Sequence, residues 1–144
     1  MKPEETIDFP IRWAWHRIAR MYNTEAAKHG GTMSIGYVLL NIDPEGTPST
    51  KLGPKMGMEP RSLVRTLQAM EDAGLIRREP DDSDKRVVRI HLTAKGKLKR
   101  DLSKGSVIRF NQAVQERLTE KELRDFRAAM NTINAILDDK QLFV

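Results

Sequence analysis

"RREPDDSDKRVVRIHLT", residues 77–93, is the stretch on which the fold turns. Two β-like runs flank a short gap that holds Asp81, Asp82, Asp84, Lys85 and Arg86. In the second run Val88, Ile90 and Leu92 fall on one side, and Val87, Arg89 and His91 on the other. That alternation is the mark of a half-buried strand. "LIRRE", 75–79, is its expected partner. Pro80 is expected to keep the start of the connection out of the ladder, because proline has no amide to donate. A hairpin tip needs turn formers rather than this density of charge, so something outside the hairpin is expected to read it.

Upstream, Thr47 and Pro48 read as an N-cap followed by a first-turn proline. A short helix then carries Leu52 and Met56 and breaks at Gly57. A second helix starts at Pro60 and ends at Gly74. Its Leu63, Leu67 and Met70 share one side, while Arg61, Arg65 and Gln68 share the opposite side. Two short helices joined by a glycine turn, the second with a basic outer face, match a helix-turn-helix. A DNA major groove, about 12 Å wide, admits one helix, and side chains near its N-terminus reach the base edges. Here those are Arg61, Ser62, Arg65 and Thr66, with Gln68 a turn further on. A charged hairpin directly after such a pair makes it winged. Lys85 would meet phosphates, and Arg86 would enter a minor groove, whose negative potential favours arginine. Asp82 and Asp84 would shape the tip by pairing with these cations and bonding nearby amides.

Further out, Ile11, Ala14, Trp15, Ile18 and Tyr22 form an apolar stripe on a first helix that begins near Pro10. Ile11, Trp15 and Ile18 read as core, whereas Trp13 lies off the stripe. "KHGG", 28–31, ends that helix, and a second runs through Met33, Tyr37 and Leu40. After the hairpin, Thr93 caps a long helix through Leu98, Leu102, Phe110 and Val114, with a weak point at Gly105. Thr119 and Glu122 form a capping box. Beyond it Leu123, Phe126, Met130, Ile133 and Leu137 make a heptad-like seam that asks for a partner. The fold expected is mainly α with one small β-hairpin wing.

The chain has 144 residues, no cysteine and a net charge of +5. Residues 51–100 hold 13 Lys/Arg against 7 Asp/Glu, whereas the rest hold 12 against 13. The excess positive charge is thus confined to the central segment, the footprint of a polyanion binder. Without cysteine there are no disulfides, thiolate metal sites or thiol sensing. No apolar run approaches membrane-span length, and "MKPEETIDFP" does not read as a signal peptide, so a cytoplasmic location is expected. His16, His29 and His91 lack the spacing that would set two imidazoles on one helical face, so neither a metal site nor any cofactor is expected. No Gly-rich phosphate loop or nucleophile elbow suggests an enzyme.

The segment "MEPRSLVRTLQAMEDAGLIRREPDDSDKRVVRIHLTAKG", 58–96, resembles the MarR family of transcriptional regulators. The likeness rests on the recognition helix, the join at Met70, Gly74, Leu75 and Ile76, the Asp84–Arg86 tip, and the entry Leu92, Thr93 and Gly96 into the long helix. Helix order and length extend it over nearly the whole chain. The resemblance implies a single domain, 1–144, with a winged helix-turn-helix lobe at 33–96 and dimerisation helices at 1–32 and 97–144. It implies a homodimer on a palindromic operator in double-stranded DNA, most often a repressor. It also implies release by a small aromatic or acidic ligand, for which Arg12, Trp13, His16 and Tyr37 are candidate pocket residues. A winged-helix interaction module, or a DNA-packing protein with no regulated operator, is the alternative. Two departures bear on the recognition helix: Gly53 and Pro54 sit inside the helix before it, and Glu59 stands where Ser, Thr or Asp would cap better.

Overall fold

The apolar periods resolve into helices close to where they were read. A computed structural model describes residues 1–144. After a 3-10 turn at Pro3–Glu5 come α1 (Asp8–Ala27), α2 (Met33–Asn41), β1 (Thr47–Pro48), α3 (Ser49–Met56) and α4 (Pro60–Asp72). They are followed by β2 (Ile76–Pro80), β3 (Val88–Leu92), α5 (Ala94–Gln115) and α6 (Glu120–Leu137). The chain divides into two compact units, Met1–Ser106 and Val107–Val144, with the boundary inside α5. No helix is long and apolar enough to cross a membrane.

In the first unit the core gathers Val38, Leu39 and Ile42 from α2 and its exit, Leu52 from α3, and Leu63, Leu67 and Met70 from α4. Leu75, Ile76, Ile90 and Leu92 complete it from the sheet side. Burying each such side chain is worth about 1.5–3 kcal/mol. The stripe of α4 therefore fixes which side of that helix faces out. Gly57, at φ 62, closes α3 in the left-handed conformation, and Gly74, at φ 72, follows α4.

Three expectations about the sheet need correction. The sheet has three antiparallel strands in the order β1-β3-β2, not two. Thr47 is not a helix cap. It pairs with Ile90 in β1, and its buried hydroxyl donates to Asp43 Oδ2 and accepts from the Asp43 amide. Pro80 does join the ladder, opposite Val88. The Asp81 amide bonds to the Val87 carbonyl one step on. Antiparallel pairs alternate between bonded and non-bonded, so Pro80 falls at a non-bonded pair on an edge strand, where no amide is missed.

Gly53 and Pro54, before α4, both lie in the second half of α3. Gly53 is buried, and a methyl there would touch Leu63 Cδ2 at 3.4 Å and the Met58 carbonyl at 3.5 Å. Both are ordinary contact distances, so a methyl would fit there. Pro54 cannot return an amide to Thr50, and α3 ends two residues later at Met56.

Ile11 and Trp15 are not core within the chain. Both are exposed, and α1 buries no residue fully. The Trp15 indole stacks on Tyr37, and Tyr22 meets Tyr37 edge-on. In the second unit Thr119 caps α6 by accepting from the Glu122 amide. The α6 seam is uncovered there: Phe126 and Leu137 are exposed and Leu123, Met130 and Ile133 only half-buried.

Candidate nucleic-acid interface

The outer face of α4 is built by default, since Leu63, Leu67 and Met70 consume the inner one. Arg61, Ser62 and Arg65 are exposed there, and neither arginine has an ion-pair partner. Thr66 is half-buried and donates its hydroxyl to the Ser62 carbonyl. Gln68 donates to Asp72 Oδ1 at 3.0 Å and has to leave that bond to reach anything else. Val64, which the charge pattern hid, is 64% exposed. It follows Arg61 by three residues and precedes Gln68 by four, so it sits in their row. An exposed β-branched residue amid a cationic helical row was the available signal. Glu59 is the N-cap, and its side chain makes no capping bond.

The wing tip spans residues 81–87. Asp84 grips Arg86 three ways: Oδ1 accepts from the Arg86 amide and Nε, and Oδ2 accepts from Nη2 at 3.1 Å. The Arg86 side chain nevertheless remains 91% exposed. That guanidinium holds the Asp84 carboxyl below the usual carboxylate range, and Asp84 in turn pushes the Arg86 pKa up. Lys85 is exposed.

Asp82 does not shape the tip as expected. It is exposed, makes no side-chain hydrogen bond or ion pair, and lies one residue past the closing pair of the hairpin. Asp81 takes that task. Its Oδ2 accepts from the amides of Ser83 and Asp84, both at 3.0 Å. Its Oδ1 accepts from Arg89 Nε at 2.8 Å, and Arg89 Nη2 lies 2.7 Å from the same oxygen in an ion pair. Arg89 is the main reason that the Asp81 carboxyl is held below its ordinary value.

The candidate ligand residues divide. Arg12, Trp13 and His16 line one groove of about 240 Å³ together with Phe9. All four belong to α1, so this is an open furrow along one helix. Phe9 stacks on Trp13, and His16 Nε2 lies 3.2 Å from Arg20 Nη2. Tyr37 is not part of that furrow. It belongs to the separate cluster with Trp15 and Tyr22, where burial pushes both phenol pKa values up.

Residues 39–88 match the MarR family model. The chain is 32% identical over 90 residues to the HTH-type transcriptional regulator TtmR of Methylorubrum extorquens (strain PA1). That match covers 62% of this chain and 46% of the relative, so the chain aligns with less than half the length of that curated protein. Among solved structures, S. aureus MepR in its DNA complex superposes with a TM-score of 0.82 at 18% identity, covering 90% of this chain and 97% of MepR. CouR from Rhodococcus jostii RHA1, solved with p-coumaroyl-CoA, gives a TM-score of 0.78 at 22% identity, covering 92% and 94%. The fold is thus the winged helix of the MarR structures.

Proposed function

We propose that this chain, which carries a MarR-family domain at residues 39–88, is a sequence-specific, DNA-binding transcriptional regulator. It would act as a homodimer, repressing from a palindromic operator until a small aromatic or acidic ligand lowers its grip. The observation that carries the reading is the pair of exposed cationic prongs on one lobe, the outer face of α4 and the tip of the wing.

The roles follow from chemistry. Arg61 and Arg65 fork onto guanine or phosphate, Gln68 onto adenine, and Val64 would meet a thymine methyl. Ser62 and Thr66 supply short polar contacts. Arg86 would enter the minor groove and Lys85 would meet a phosphate. Residues 33–96 would form the reading lobe. The stripes of 1–32 and 97–144 would bring two copies together, with recognition helices about one DNA turn, roughly 34 Å, apart. For the ligand, Arg12 would supply a cation beside Phe9, Trp13 and His16, while Tyr37, in the separate cluster with Trp15 and Tyr22, would offer a second aromatic surface. MepR solved with DNA and CouR with an aromatic acyl-CoA support the two halves of the proposal.

Selection of bound duplexes from random oligonucleotides tests it. A regulator enriches one short palindrome and binds it roughly 10³-fold more tightly than random duplex. A packing protein enriches nothing, and its affinity follows salt alone.

A further inference from the structure

We propose that Asp81, acting through Arg89, is the positioning residue that locks the wing to the loop before β1 and thereby sets where Arg86 points. The proposal rests on the reading of the wing as a DNA contact.

Asp81 and Thr47 are the buried polar residues of the chain. A carboxylate taken out of water must be repaid by donors on all sides, and Asp81 is. Its two oxygens face different ways. Oδ2 holds the Ser83 and Asp84 amides of the tip, while Oδ1 holds the Arg89 guanidinium on the neighbouring strand. The same guanidinium donates from Nη1 to the Gly46 carbonyl at 2.9 Å, 43 residues away in sequence. Gly46 has φ 88, and the His91 ring fills the space where a side chain would stand. The loop it belongs to is itself braced. Lys55 Nζ from α3 reaches the Asn41 carbonyl at 3.0 Å and Asp43 Oδ1 at 3.6 Å.

The relay therefore runs from α3 through the 43–46 loop, Arg89 and Asp81 to the backbone of Asp84. Asp84 is the residue whose side chain grips Arg86. The Asp84–Arg86 grip is the more exposed, with side chains 40% and 91% exposed, whereas the Asp81–Arg89 pair is sheltered, at 9% and 29%. Screening weakens exposed pairs and spares sheltered ones. Only the sheltered pair can hold a seven-residue tip in one stance, so Arg86 inherits its direction from Asp81.

The test is a double-mutant cycle on the selected duplex, with the full chain, Arg86→Ala, Asp81→Asn and the double variant. Arg86→Ala should weaken binding roughly tenfold, as loss of one charge-assisted contact does. Asp81→Asn should also weaken binding, about fivefold, although it removes a negative charge and simple electrostatics favours tightening. In the Asp81→Asn background, Arg86→Ala should then cost only about twofold, the non-additivity of residues acting as a unit. A merely structural role would leave the cost of Arg86→Ala the same in both backgrounds, and that result, or tighter binding by Asp81→Asn, overturns the inference. If Asp81→Asn fails to fold, Arg89→Met repeats the cycle while leaving the Oδ2 bonds in place. If Arg86→Ala costs nothing in the native chain, the wing reading itself falls, a result distinct from intact Arg86 dependence without coupling.

Discussion

The two prongs present their cations by opposite means. On α4, Arg61 and Arg65 are free of ion pairs, and the helix alone aims them. At the wing, Arg86 is tied by Asp84, and the tip is tied by Asp81. A helix sets the direction of every side chain through its own backbone bonds. A loop has no such scaffold and must borrow one from side chains. Asp81 and Asp84 are that scaffold, whereas Asp82 makes no such bond.

This contrast can be broken at either prong. Arg65→Ala should cost about 1–3 kcal/mol on the selected site and little on random duplex, as measured by fluorescence anisotropy. Equal losses on both would reduce Arg65 to a backbone contact. Asp84→Ala should weaken binding about threefold, since an exposed pair contributes modestly. Tighter binding would mean that the acid only repels DNA. Lys85→Ala, which removes no scaffold, should lower the slope of log affinity against log salt by about 0.9, one phosphate's worth. An unaltered slope would take Lys85 off the duplex.

The smallest effect expected is none. The carboxyls of Asp81 and Asp84 are both depressed, from an ordinary value of 3.8, first by Arg89 and Arg86 respectively. A depressed carboxyl contributes stability that is fully present above its unfolded value and is lost only as pH falls through its folded one. The amide shifts of Ser83, Asp84 and Arg86 in NMR spectra should therefore hold steady from pH 8 to about 5. Movement within that window would show that a group other than these two carboxyls controls the tip.

What the sequence disclosed follows the same division. The period of Leu63, Leu67 and Met70 determines the outer face of α4, so its arginines could be named in advance. The wing acids could not be ranked, because Asp81, Asp82 and Asp84 are chemically alike. Only strand register decides that Asp81 stands at the closing pair and Asp82 beyond it. β1 was hidden for a related reason. Two residues show no period, and Thr-Pro is also how a helix begins. Trp15 misled because an apolar stripe reports that a face wants covering, not which chain covers it.

Both tryptophans of the chain, Trp13 and Trp15, lie on α1 and are 58% and 49% exposed. Neither α4 nor the wing holds an indole. Intrinsic emission is therefore blind to the two prongs and sensitive to whatever settles on the first helix. Titrated with duplex and with an aromatic acid in separate cuvettes, the unlabelled chain would report the second event in its own light and let the first pass in the dark.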